Sequence, residues 1–206
     1  MKLNKKFEPM LTLGERLVPG NDSKHFCQPT DVAVASSGEF FVADGYCNSR
    51  VMKFDKNGEF IASFGHANEP YKMDDFAFWI PHSLALIEDM NLICVADREN
   101  ERIQCFSAGI GERGRTVPVG VFITKAENVG RVFAIREKFH NLVGVTGSDG
   151  NTIESQVFVM DINNGRADTF AKGIVNAHAL EVSNDGVVYI GLIGPNEIVV
   201  TSLDDE

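Results

Sequence analysis

Two histidines, His82 and His178, hold the same place in internal repeats, each just ahead of an apolar alternation, Ser83-Leu84-Ala85-Leu86 and Ala179-Leu180-Glu181-Val182. Imidazoles aimed at one point from separate repeats are donors suited to zinc, which in catalytic sites takes three protein ligands and leaves a fourth position for water or substrate. The same spacing equally serves two imidazoles that pack beside a channel and bond backbone carbonyls. His25, His66 and His140 stand outside the repeat position and receive no role. Tyr46 and Arg98 lie in corresponding turns, Asp44-Gly45-Tyr46-Cys47-Asn48-Ser49-Arg50 and Asp97-Arg98-Glu99-Asn100-Glu101-Arg102. A guanidinium fork suits a carboxylate, and a phenol beside a cation can act as a base. Asp44, Asn48, Asp97 and Asn100 in those turns read as hairpin caps that bond backbone N–H groups.

Four cysteines permit three pairings. Joining Cys27 to Cys47 and Cys94 to Cys105 would staple the loops that carry Tyr46 and Arg98; four buried free thiols are the alternative.

The elements that must position these groups recur along the chain. Gln28-Pro29-Thr30-Asp31-Val32-Ala33-Val34, Phe40-Phe41-Val42-Ala43-Asp44 and Arg50-Val51-Met52-Lys53-Phe54 return as Ile80-Pro81-His82-Ser83-Leu84-Ala85-Leu86, Leu92-Ile93-Cys94-Val95-Ala96-Asp97 and Arg102-Ile103-Gln104-Cys105-Phe106. A weaker third copy lacks the opening motif but keeps Leu142–Val145 and Gln156–Met160, and a fourth opens at Asn176-Ala177-His178-Ala179. β-Branched and aromatic runs split by Asn-Asp-Gly turns are hairpins. Repeats of about 40–45 residues built only from strands predict an all-β fold, a β-propeller, because each small sheet buries its faces only against the next. A solenoid or sandwich is the competing architecture. The expected blades are approximately 28–65, 79–112, 132–171 and 176–203 of one domain spanning 1–206, with a strand remnant and loop over 1–26 and a Gly-rich connection over 107–130.

With 206 residues, 44% hydrophobic and 23% charged, the chain is of globular composition. Its net charge of −10, ending in Asp204, Asp205 and Glu206, without a Lys or Arg run, argues against nucleic acid and anionic membranes as partners. No apolar stretch is long enough for a membrane segment, and Met1–Glu8 lacks the apolar centre of a signal peptide. Cysteines fit for disulfides in a chain without an export signal are reconciled if this is an N-terminally incomplete piece of a secreted protein.

His25–Val34, Asp44–Arg50, Pro81–Leu86 and Val95–Asn100 together resemble the peptidyl-α-hydroxyglycine α-amidating lyases, closely over roughly residues 13–106 and more loosely to about 203. The resemblance implies an NHL-type propeller with about four of an expected six blades present. It implies cleavage of peptidyl-α-hydroxyglycine into an amidated peptide and glyoxylate, in a secretory lumen or outside the cell. It also implies a zinc held in part by His82 and His178, Tyr46 as the base, Arg98 in the substrate site, and the pairs Cys27–Cys47 and Cys94–Cys105. Its substrates would be peptides extended by α-hydroxyglycine, with a monooxygenase as an attached domain or separate enzyme. The third zinc histidine and a further arginine would belong to blades ahead of Met1. The family's Met-Pro-His-Asp reads Asn176-Ala177-His178-Ala179 here, and the missing carboxylate argues against the family's structural calcium.

Two other classes compete. A non-catalytic propeller would use its channel or blade edges to bind a peptide or protein. A calcium-assisted, lactonase-like hydrolase would need converging Asp, Glu or Asn oxygens where histidines stand.

Overall fold

Short runs of Val, Ile and Phe alternate with turns that glycine and asparagine can close, and each set of runs folds back on itself as an antiparallel meander. At Gly38 and Gly58 the backbone takes φ of +90° and +88°, which a side chain disfavours, and so closes two hairpins of the first sheet. The computed structural model describes residues 1–69, 74–111, 117–147, 153–194 and 196–203. Residues 70–73, 112–116, 148–152 and 195 and the acidic end Asp204–Glu206 lie outside the described residues.

Among the described residues, four sheets of three or four strands follow one another in chain order. The first comprises Asp31–Val34, Phe40–Asp44, Arg50–Phe54 and Phe60–Phe64. The second comprises Pro81–Ile87, Leu92–Asp97, Arg102–Ser107 and Phe122–Ala126. The third comprises Arg131–Lys138, Asn141–Gly147, Gln156–Asp161 and Ala167–Lys172. The fourth has three strands, Ala177–Val182, Val187–Leu192 and Ile198–Ser202.

The opening strands of successive sheets pack against one another and form the inner wall. The core lies between sheets. Phe41, Val51, Leu84, Val95 and Phe106 join the first to the second, Cys94, Ile103, Ile135 and Phe158 the second to the third, and Val143, Val157, Leu180 and Ile190 the third to the fourth. This is the layering of a β-propeller. Phe106 is fully buried among the rings of Phe64, Phe76, Phe78 and Phe122, a site where truncation to Ala typically costs about 3–5 kcal/mol.

The segment expected as a strand remnant and loop instead contains a two-stranded hairpin, Lys2–Leu3 with Pro9–Leu11. Leu13 and Phe26 then pack on Val42, Met52 and Phe54 of the first sheet. Within the stretch read as a connection, Phe122–Ala126 pairs with Arg102–Ser107, because Phe122 has the Phe106 ring to cover. The third unit, whose opening motif the sequence obscures, begins with the eight-residue strand Arg131–Lys138.

Candidate functional site

The Asp-rich turns do more than cap hairpins. Asp44 accepts from the Cys27 N–H at 2.7 Å, from Asn48 Nδ2 at 2.7 Å and from Arg50 Nε at 3.0 Å. In the second sheet Asp97 repeats this with the Trp79 N–H, Asn100 and Arg102 at 2.7, 2.8 and 2.8 Å. The Asp-Arg pair therefore ties each sheet's second hairpin to the loop that enters its inner strand. Burial pushes the Asp97 carboxyl above the usual range, against bonds from Asn100, Trp79 and Arg102 that favour the charge.

From these anchored turns Tyr46 and Arg98 reach the inner wall. Gly45 makes this possible: a Cβ there would lie 2.3 Å from the Pro81 carbonyl oxygen, so only glycine lets the Tyr46 turn approach the segment entering His82. The two cystines confirm the pairing and exclude free thiols. Cys27–Cys47 joins the entry loop to the Tyr46 turn, and Cys94–Cys105 links register partners on adjacent strands.

His82 and His178 lie within the opening strands of the second and fourth sheets rather than ahead of them. Their ring centroids are 5.1 Å apart, and the Tyr46 ring lies 6.1 Å from that of His82. Arg98, almost buried, donates from Nη1 to Tyr46 Oη at 3.2 Å. Its guanidinium carbon lies 5.3 Å from the centroid of the Tyr46 ring and 5.0 Å from that of Phe133. All four residues singled out in the sequence thus meet at one point.

His82 Nδ1 sits 2.7 Å from the Phe133 carbonyl oxygen. A carbonyl only accepts, so Nδ1 carries the proton and Nε2 keeps its lone pair. Burial holds the His82 imidazole below the ordinary histidine value against the raising effect of the Phe133 carbonyl, and the charges of Arg98 and His178 add to the lowering. Burial and then Arg98 lower His178 as well. Two neutral imidazoles, one fixed in its tautomer by a backbone carbonyl, have the donor chemistry that zinc takes. Among the described residues no group of three His, Cys, Asp or Glu side chains gathers for a cation.

Three participants were not legible in the sequence. Phe133 occupies in the third sheet the place of the histidines in the second and fourth, its ring centroid 5.4 Å from that of His82 and 5.0 Å from that of His178. Glu99 Oε1 accepts from Arg98 Nε at 2.8 Å and from Arg131 Nε at 3.1 Å. Burial works to raise the Glu99 carboxyl, but the bonds from Arg131 and Arg98 outweigh it and leave it below the ordinary value. The repeat alignment of Val132-Phe133-Ala134 with Pro81-His82-Ser83 would have found Phe133; no spacing signal marks Glu99 or Arg131. His25, His66 and His140 instead contact the carboxyl groups of Asp22, Asp74 and Asp89.

Comparison with known proteins adds kinship to this geometry. The NHL repeat model matches residues 26–54 and 78–106. A probable peptidyl-alpha-hydroxyglycine alpha-amidating lyase of Caenorhabditis elegans is 53% identical over 190 residues, covering 92% of this chain and 53% of the relative. Peptidyl-glycine alpha-amidating monooxygenase B of Xenopus laevis is 44% identical over 195 residues, covering 90% of this chain and 22% of the relative. The chain thus spans about half the length of the nematode relative. Among solved structures, the Cps50 (Swd1) beta-propeller domain of Myceliophteria thermophila superposes with a TM-score of 0.59 at 15% identity, over 85% of this chain and 54% of that one, a likeness of fold alone.

Proposed function

The chain is an NHL-repeat β-propeller related along 92% of its length to a peptidyl-α-hydroxyglycine α-amidating lyase, and from this kinship we propose that it cleaves peptidyl-α-hydroxyglycine into an α-amidated peptide and glyoxylate. The observation that carries the proposal is the meeting of Tyr46, Arg98, His82 and His178 from three sheets, with Arg98 Nη1 at 3.2 Å from Tyr46 Oη.

In this reading Tyr46, as its phenolate, takes the proton from the substrate's α-hydroxyl onto Oη. The O–H electron pair becomes the carbonyl of glyoxylate, the C–N bond breaks, and its pair leaves on the amide nitrogen. The proton held by Tyr46 is then returned to that nitrogen, so atoms and electrons balance without water or an oxidant. Arg98 holds the negative charge on Tyr46 Oη in place and offers its remaining donors to substrate oxygens. Phe133 packs against both imidazoles and excludes water. Zinc is the metal proposed for His82 and His178, which would hold it, and it would supply a positive charge that makes a nearby hydroxyl more acidic.

The substrates of this reading are peptides ending in α-hydroxyglycine. Their hydroxyl must come from a prior oxygenation of glycine-extended peptides, so a peptide monooxygenase is the proposed partner. A secretory lumen or the cell exterior is the proposed location, since two cystines persist best where the medium is oxidising.

The test is to load the chain with zinc, supply a model α-hydroxyglycine peptide, and measure both products. Equal amounts of amide and glyoxylate, formed well above the spontaneous rate, support the proposal. A chain that binds zinc and peptide yet yields neither product contradicts it and leaves a binding module.

A further inference from the structure

Arginine side chains have many rotamers, yet Arg98 must hold one in which Nη1 faces Tyr46. The guanidinium is planar, so fixing where Nε points, with the ring stacked, fixes where Nη1 points. Nε of Arg98 is taken by Glu99 Oε1 at 2.8 Å. That same oxygen accepts both Nε and Nη2 of Arg131, at the start of the third sheet. Glu99 itself is anchored through its N–H, which donates to the Trp79 carbonyl at 3.0 Å, and lies in the turn Arg98–Asn100, closed by Glu101 in the left-handed region.

We propose that Glu99 is a positioning residue, which aims Arg98 at Tyr46 and is itself held by Arg131 across the boundary between the second and third sheets. Two guanidiniums and one carboxylate leave the group with a net charge of about +1. That single surplus charge suits the phenolate form of Tyr46 that accepts the proton, or a substrate carboxylate. Without Glu99, two like charges face each other with no anion between them, and Arg98 stays stacked on Phe133 but loses the bond that sets its fork.

The kinetic arm of the test rests on the lyase reading; the exchange arm does not. In the full chain, the Nε–H of Arg98 is expected to exchange slowly with solvent by nitrogen NMR, with its signal assigned by its loss in Arg98→Lys. Glu99→Gln should speed that exchange by about tenfold or more, whereas Tyr46→Phe should leave it slow. In glyoxylate release, Glu99→Gln should lower kcat by about tenfold with KM within about twofold, Glu99→Asp should recover much of the loss, and Glu99→Gln should add little in an Arg98→Lys background. Unchanged exchange in Glu99→Gln overturns the proposal, as does an equal loss of kcat with or without Arg98. Should Glu99→Gln not fold, Arg131→Lys carries the same exchange test: faster exchange supports the proposal and unchanged exchange defeats it. A wild-type chain that releases no glyoxylate defeats the lyase reading alone, because the exchange result still decides the role of Glu99.

Discussion

Arg98 donates from Nη1 to the phenol oxygen of Tyr46 across 52 positions of sequence, and the two arrive from turns at the same place in adjacent sheets. The Tyr46 turn is longer by one residue between its Asp and its Arg, Asp44 to Arg50 against Asp97 to Arg102. Gly45 lies in that longer turn and brings its backbone under the Pro81 carbonyl. Repetition thus delivers two different side chains to one point, and one glycine sets the offset between them.

Replacing Gly45 tests that offset. A methyl group 2.3 Å from the Pro81 carbonyl oxygen must push apart the Tyr46 turn and the segment entering His82. Gly45→Ala should cost about 1–3 kcal/mol in denaturant unfolding and lower glyoxylate release, while Gly191→Ala, whose added Cβ would make only an ordinary contact of 3.5 Å with Ala179, should do neither.

Both inner histidines have lowered values, each first through burial. The unfolded chain then binds more protons than the fold between the ordinary histidine value, near 6.5, and the lower folded ones. This contribution to stability is complete above about pH 6.5 and is lost as pH falls through the folded values. Histidine C2–H titration should show two midpoints below 6.5 that move upward in Arg98→Met, because the Arg98 charge contributes to both lowerings.

The Cys27–Cys47 bridge closes a loop with a sequence separation of 20 and borders the Tyr46 turn. Replacing both cysteines by Ser should cost about 2–4 kcal/mol in urea unfolding and reduce kcat. Removing Cys94 and Cys105 from the buried strand pair should destabilise without the same selective effect on kcat.

One side chain of the third sheet touches the other three. Arg136 donates to Asp31 at 3.4 Å, to Ser83 at 3.3 Å and to Glu181 at 3.2 Å. Allowing for its partial exposure, Arg136→Leu should lower stability by about 1–2 kcal/mol. Glu181→Gln, at an exposed partner, should change it by less than about 0.5 kcal/mol. Denaturant titration of both variants separates the two.

The fold was largely legible because its repeats carry their own alignment. Pro29-Thr30 and Pro81-His82 mark the same inner position, and the Asp44–Arg50 and Asp97–Arg102 turns mark the same outer anchor. His82, His178, Tyr46 and Arg98 could be picked from those frames before any contact was known. Phe133 was missed because the third copy replaces the polar inner residue with a ring that packs on imidazoles, which looks like any apolar strand residue. Glu99 and Arg131 were missed because their bond joins two sheets, and no periodicity within one sheet encodes a partner in the next. Phe122–Ala126 was missed because a Gly-rich stretch precedes a strand whose partner lies earlier in the chain.

The central claim is that Tyr46 moves the proton, and its most direct test is the rate of glyoxylate release by Tyr46→Phe against the parent chain at equal zinc content. Loss of the phenol oxygen keeps the ring over the Arg98 guanidinium but removes the group at 3.2 Å from Nη1. The account predicts a fall of about 10²–10⁴ in kcat with zinc content unchanged. An active parent whose Tyr46→Phe variant runs within about twofold of it would contradict the account.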